Sequence, residues 1–410
     1  LGTKVPAGAT FGGAGGKLRK SEDGGCFMSK TTVVGSVVGV LTVLVFWFQR
    51  EHQRGTFDVI ERHFLSWLAA NNSSVEILPP LTLVLYDEEA SHTAGTSRMA
   101  MLDGALFARA ASKLGAVMAG VEGLSGDPAR MIQAAEGMPV FAGYLADQPP
   151  GLGWTPLGGE PAQSWLEVAG LAGRGGRFTR GFITTPVRLS SAQAIQMVAR
   201  CGDRSVPSLL LVAWTTAHGW RMSELSIGLH SVGGPDDHIA LDATGRAMFM
   251  PVGEPSVMTM NELLVAAEKF EREGGVSPLR DRILVLARAT PDVTRVTIEG
   301  ARAVTPMELW ASAWEAVRTN RLFLPVGSWY NAALVVLGTL LAFSPARRSN
   351  VHALGVLFFA MAVYLLFALA AYSGNRVMLP AAPTLLTCVA GCLLGRFWHE
   401  GQMAKKVASS

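Results

Sequence analysis

Cysteine is scarce in this chain. Only four occur in 410 residues, and Cys201 is alone between Gln49 and Gly327, so that long stretch can hold no internal disulfide. Cys388 and Cys392 lie one helical turn apart in an apolar segment and read as small packing residues rather than metal ligands. Cys26 follows no apolar run, which argues against a lipoprotein attachment site. Charge is also sparse. Asp, Glu, Lys and Arg make up 16% of the chain, and residues 31–48, 328–343, 351–372 and 377–395 contain none of them. A bilayer crossing takes roughly 20 helical residues, so each of these four segments is an expected membrane span. The missing charge also disfavours coupled transport, which places ionisable groups or broken helices at mid-membrane. Tyr364 is the main polar group deep in any of the four.

Enzyme signatures are lacking too. "GGAGGKL" has the wrong spacing for a P-loop, and Leu18 stands where Ser or Thr is needed. "HEGQM" lacks the second histidine of a zinc-protease helix, and there is neither a Gly-x-Ser-x-Gly elbow nor a metal-binding quartet. No catalytic activity, cofactor or metal is expected.

The charges that are present are unevenly placed. Between Gln49 and Gly327 there are 24 Lys and Arg against 29 Asp and Glu, with only two lysines, Lys113 and Lys269. Outside that stretch, positive residues crowd the apolar segments: Lys4, Lys17, Arg19, Lys20 and Lys30 before the first, Arg347 and Arg348 between the second and third, Arg396, Lys405 and Lys406 after the fourth. Arg376 is the one exception. Read by the positive-inside rule, this puts both termini in the cytoplasm and the large middle region outside. Trp47, Trp329, Tyr330 and Tyr372 then fall at the outer interface, where aromatic residues concentrate. The basic balance reports topology, and no nucleic-acid patch is visible. No small-residue cleavage site follows the first segment, so an uncleaved anchor is expected at 31–48. The expected division is a flexible cytoplasmic tail at 1–30, the anchor at 31–48, an exported domain at 49–327, a three-helix membrane region at 328–398 and a short cytoplasmic tail at 399–410.

Within the middle region the hydrophobic pattern switches repeatedly between strand and helix periods. Leu81–Tyr86 is a buried-type strand, followed by helical spacing of Met101, Ala105, Ala108, Ala111 and Leu114. "AVMAGV" and "PVFAGYL" are further strands around "DPARMIQAAEG", which has Pro128 at a first helical position behind Asp127. "VPSLLLVAWTTAHG" is a compact apolar helix, and "DHIALDATGRAMFMPV" is a hairpin about Asp242–Gly245. "NELLVAAEKFEREGG" is an amphipathic helix ended by glycine, "RILVLARA" another buried strand, and "VTPMELWASAWEAVRTNRLFLP" a helix with Met307, Trp310, Trp314 and Val317 on one face. The expected fold is an α/β domain with a mixed sheet and covering helices, plus four transmembrane α-helices.

Three groups of residues could carry chemistry. Asp87, Glu88 and Glu89 follow the first strand, and with Arg98 they could hold a charged ligand beyond a strand end. The plainer reading is a solvated acidic turn before a helix. "GPDDH" (Asp236, Asp237, His238) has metal-ligand residue types but reads first as a polar turn. Gly35 with Gly39, and Gly391 with Gly395, are Gly-x-x-x-Gly pairs that let helices approach closely, within one chain or between subunits.

Taken in order, "LTLVLYDEEAS", "VMAGVEGLSGD", "VPSLLLVAW", "HIALDATGRAMFMPV", "RILVLARATPD" and "VTPMELWASAWEAVRTNRLFLP", framed by one apolar segment before and three after, resemble the second class of CHASE domains, extracellular sensory domains of bacterial receptors. The resemblance covers roughly residues 49–398. The family's Trp–Pro before the first helix is replaced by "TAGTSR", with Arg98 at the matching arginine. What the resemblance implies is a sensory protein of the bacterial inner membrane that binds a ligand or protein outside. With about a dozen residues after the last segment, signalling is expected to pass to a separate output protein, with membrane lipids and other protein subunits as partners. The alternative expectation is a structural or assembly subunit that uses the exported domain as a docking scaffold.

Overall fold

In the computed structural model, the described residues are 42–47, 50–51, 54, 56–72, 78–86, 99–123, 128–145, 155–156, 164–165, 178–183, 187–189, 192–201, 204–228, 230–251, 254–288, 296–298, 302–346 and 350–409. The chain divides after Leu44, and residues from Val45 onward form the unit described below.

The strands that carry the fold are β1 (Leu81–Tyr86), β2 (Met118–Val121), β3 (Val140–Leu145), β4 (Phe178–Ile183), β5 (Val187–Leu189), β6 (Ala192–Gln196), β7 (His238–Ala240), β8 (Arg246–Phe249), β9 (Ser256–Thr259), β10 (Ile283–Arg288), β11 (Leu322–Pro325) and β12 (Val377–Met378). The helices are α1 (Asp58–Ala70), α2 (Met99–Lys113), α3 (Pro128–Ala134), α4 (Leu209–Ala217), α5 (Met260–Glu273), α6 (Pro306–Arg318), α7 (Ser328–Ala346), α8 (Asn350–Asn375) and α9 (Ala381–Ser409).

A six-stranded sheet, in the order β9-β1-β10-β2-β3-β4, is parallel throughout. Its central strands are apolar on both faces because both faces are covered. Leu81, Leu83, Ile283 and Val285 point to one side, where they pack with Trp214 of α4 and Trp310 and Trp314 of α6. Val84, Leu284 and Leu286 point to the other, against Phe107 and Leu114 of α2 and Leu263 of α5. Gly120 of β2 lies under Phe141: a Cβ there would come within 2.3 Å of the ring, so only glycine admits this strand contact.

A second sheet, in the order β12-β11-β8-β6-β5, is antiparallel except for the parallel β11–β12 pair. The strand period again divides its side chains. Ile195, Ala247, Phe249 and Leu322 join the α4–α6 core. Ala194, Met248 and Phe323 face Leu65 and Leu68 of α1 and Ala368 and Tyr372 of α8. The result is five layers: helices α2, α3 and α5; the parallel sheet; α4 and α6; the second sheet; and α1 with one end of α8.

The helices sit where local sequence places them. Ser208 caps α4, its Oγ accepting the Leu211 N–H at 3.2 Å, and Leu209 through Thr215 are all buried, as befits a helix apolar all round between two sheets. Helix α6 opens with a capping box: Thr305 Oγ1 accepts the Glu308 N–H at 3.2 Å and Glu308 Oε2 accepts the Thr305 N–H at 2.6 Å, with Pro306 at the first position. Trp314 is fully buried and donates its indole N–H to Pro79 O at 3.1 Å. Helix α5 has the same box at Thr259 and Glu262 and ends at Gly274, whose φ is 68°.

The α/β class, the buried strands and the helices of the middle region match the sequence expectation. Three features differ from it. The sheet is not a single mixed one: the larger sheet is purely parallel, and strand directions mix in the second and in a small four-stranded sheet of residues 155–156, 164–165, 198–201 and 204–207. The turn at Asp242–Gly245 forms, with Asp242 Oδ1 accepting the N–H groups of Thr244 and Arg246 at 2.8 and 2.9 Å, but its flanking strands β7 and β8 belong to different sheets and make no hairpin. Only one described helix, Leu357–Asn375, is long and apolar enough to cross a membrane, and Ala332–Leu341 is a shorter apolar helix. Four transmembrane helices are therefore not supported. The segment 31–48 lies almost wholly outside the described residues. The segment 377–395 begins as strand β12, because Val377 and Met378 pair with Leu324 and Pro325, and its helix starts only at Ala381. That helix runs on through Arg396 and Glu400, paired at 2.8 Å, to Ser409, where a separate tail was expected from 399.

Helices α7 and α9 pack along each other. A Cβ on Gly338 of α7 would come within 2.8 Å of Thr387 Oγ1 on α9, so their approach depends on glycine. Helix α8 is largely uncovered, with Phe358, Phe359, Leu366 and Phe367 exposed.

Candidate functional site at the junction of sheet and apolar helices

The acidic turn and its arginine, Asp87, Glu88, Glu89 and Arg98, lie outside the described residues. The frame around them is described. Strand β1, which the acidic residues follow in sequence, lies between β9 and β10. On the C-terminal edge of the same sheet Glu122 follows β2, its carboxylate accepting the Arg288 N–H at 2.7 Å. Burial raises the Glu122 pKa, and the Arg288 N–H and guanidinium oppose that rise. The crossovers β1-α2-β2, β2-α3-β3 and β9-α5-β10 all advance in one direction along the sheet. They create no reversal of strand order, the feature that usually opens a ligand crevice in such sheets.

The described polar groups converge at the opposite end of the layers, where the second sheet meets α1, α8 and α9. Glu61 lies on the buried face of α1 with Leu65 and Leu68. It is 2% exposed, and its two carboxylate oxygens accept the N–H groups of Ala381 and Ala382 at 3.1 and 2.9 Å. These are orphan donors at the start of α9, so Glu61 caps a helix more than 300 residues away in sequence. Burial pushes its pKa up to about 7; the two N–H bonds pull against this, and nearby Asp58 adds to it.

Arg376 is the second tie. It follows α8 with φ at 55°, in the left-handed region, and its carbonyl accepts the Leu324 N–H of β11 at 2.8 Å. Its side chain is 5% exposed, with Nη2 3.7 Å from Asp237 Oδ1 and the guanidinium carbon 5.7 Å from the Tyr372 ring centre. Asp237 also accepts the His238 N–H at 2.8 Å. Tyr372, fully buried in α8, donates its hydroxyl to the Asn320 carbonyl beyond α6. A second hydroxyl bond ties α8 to the residue before α9: Tyr364 of α8 donates to Pro380 O at 2.6 Å. Glu61, Asp237 and Asn320 on the sheet side thus engage the N-terminus of α9 and the end of α8.

Asp237 and His238 of "GPDDH" are therefore neighbours of a buried arginine, and among the described residues no group of three or more His, Cys, Asp or Glu side chains converges as metal ligands. Gly391 and Gly395 are both buried and continue, at four-residue steps, the face of α9 on which Thr387 meets α7. Their partner pair, Gly35 and Gly39, lies outside the described residues.

Reading the sequence alone missed Glu61 and understated Arg376, though each left a signal. Glu61, Leu65 and Leu68 occupy one helical stripe, so a carboxylate sits where an apolar residue belongs. Arg376 is the exception to the charge pattern around the apolar segments, and it is buried and paired rather than exposed in a loop. Comparison with protein-family models, with curated proteins and with solved structures gives no match.

Proposed function

We propose that the protein is a membrane-associated sensory protein of CHASE-like type. Its α/β domain receives a ligand or a protein outside the membrane and passes the change, through α1, α8 and α9, to a separate partner. The observation that carries this reading is the double polar junction. Glu61 of α1 binds the start of α9 and Asp237, just before β7, holds the end of α8, so a shift of α1 and β7 moves the ends of two apolar helices together. The proposed input site is the acidic turn Asp87, Glu88 and Glu89 with Arg98, beyond β1. No catalytic step is assigned.

The flanking charges support a bacterial inner-membrane location with both termini in the cytoplasm. Because Arg376 is buried, it no longer weighs against that topology. Co-purification from native membranes in mild detergent, with cross-linking, tests the functional reading: a stoichiometric partner that releases or tightens when the domain is perturbed supports it. A chain that stays monomeric and partnerless speaks against it. An assembly subunit is the alternative. The observation favouring it is the strand β9, paired among the described residues on one side only and exposed at Val257, which could dock a neighbouring chain by strand addition. A partner bound with constant affinity, whatever the state of the acidic turn, would favour this alternative.

A further inference from the structure

Between β7, the end of α6 and Arg376 lies a small cavity of about 20 Å³, lined among others by Trp214, Asp237, His238, Asn320, Leu322 and Arg376. It is far smaller than a pocket for an organic ligand and has room for one particle the size of a water molecule. Two hydrogen-bond donors on its lining residues are buried without a partner: Nη1 of Arg376 and Nδ2 of Asn320. Both are donors, so what they lack is an acceptor. The local charge is positive. Arg321 lies close to the same Tyr372 hydroxyl as Arg376, and its Nε is also buried without a partner. Among the described residues, the carboxylate paired with Arg376 is that of Asp237. It is 3.7 Å from Arg376, 35% exposed to solvent, and already accepts the His238 N–H.

A buried guanidinium that is only partly compensated calls for a counter-ion. We propose that this cavity binds a single halide-sized anion, with chloride the abundant candidate, held by Arg376 Nη1 and Asn320 Nδ2. The anion would complete the tie between β7 and the end of α8, making the junction stiffer when it is occupied. This site does not depend on the sensory reading.

The test is thermal unfolding of the full chain in detergent, with sodium chloride or bromide exchanged for sodium gluconate at constant ionic strength. Saturable halide binding to the folded state should raise the Tm by about 2–4 °C. Asn320→Asp places a fixed negative charge at the same spot in an isosteric residue that tolerates the local φ of 55°. This variant should melt higher than the parent in gluconate and lose its halide response, and Arg376→Gln should lose the response as well. A bromide anomalous peak in the cavity would locate the ion. The proposal fails if the parent shows no halide dependence, if Asn320→Asp responds as the parent does, or if the cavity holds an ordered water only. Because Asn320→Asp is expected to stabilise, misfolding of the Arg376 variant would not obscure the result.

Discussion

The two faces of this molecule are built from different materials. Above and below the parallel sheet the contacts are mainly apolar: leucines, valines, alanines and the tryptophans of α4 and α6, with small buried hydroxyls such as Thr82, Thr215 and Ser312 among them. Where the second sheet meets the apolar helices, the same kind of packing by Leu65, Leu68, Met248 and Phe323 is threaded by Glu61, Arg376 and Tyr372. Apolar contact is non-directional and tolerates sliding. A buried carboxylate on two backbone N–H groups fixes one register, because any slip leaves a charge or a donor unsatisfied. The sheet core thus supplies stability, and the junction supplies a defined geometry between the domain and its helices.

Three changes separate these roles. The largest effect belongs to the core. Trp314→Ala removes a fully buried ring and the indole bond to Pro79, and should cost about 3–5 kcal/mol in denaturant unfolding. A loss under about 1 kcal/mol would show that the α6 core is not the stabilising element. Next comes the junction. Glu61 has a folded pKa of about 7 against an ordinary 4.5, so the folded state holds the proton more tightly than the unfolded chain. Its contribution is therefore full below about pH 4.5 and declines as pH rises through 7, by at most about 3 kcal/mol. Glu61→Gln cannot titrate, and should flatten that part of the stability–pH curve while leaving the rest of the profile in place. An unchanged slope in the variant would locate the proton elsewhere. The smallest effect is local: Thr305→Ala removes one half of the α6 capping box and should lower stability by about 1 kcal/mol, independent of pH between 5 and 8.

The parts of the fold legible in the sequence were those governed by local rules. The strand at Leu81–Tyr86, the buried run Leu209–Trp214, the helix face of Met307, Trp310, Trp314 and Val317 and the glycine stop at Gly274 all follow from neighbours within a few residues. The Asp242–Gly245 turn was legible for the same reason. Its strands were misassigned because the turn does not choose their partners: His238–Ala240 pairs with Ser231–Gly233 just upstream, and Arg246–Phe249 pairs with Gln193–Gln196, far earlier in the chain. Hydropathy marked residues 377–395 as one continuous segment, yet Val377 and Met378 found hydrogen-bond partners in β11 and left the helix to begin after Pro380. The acidic turn at 87–89 and Arg98 had a sequence pattern but lie outside the described residues. Glu61 and Arg376 had only a misplaced charge to mark them.

By itself, then, the sequence determined the alternation of strand and helix, the apolar character of both sides of the parallel sheet, and the apolar helices of the C-terminal region. All of these follow from periodicity and composition, which act over one or two turns. Tertiary structure alone decided that five layers stack in this order, that Glu61 caps a helix more than 300 residues away, and that Arg376 turns inward to Asp237. The reason is physical: a buried charge is tolerated only where a distant partner meets it, and no local pattern specifies which distant partner that is.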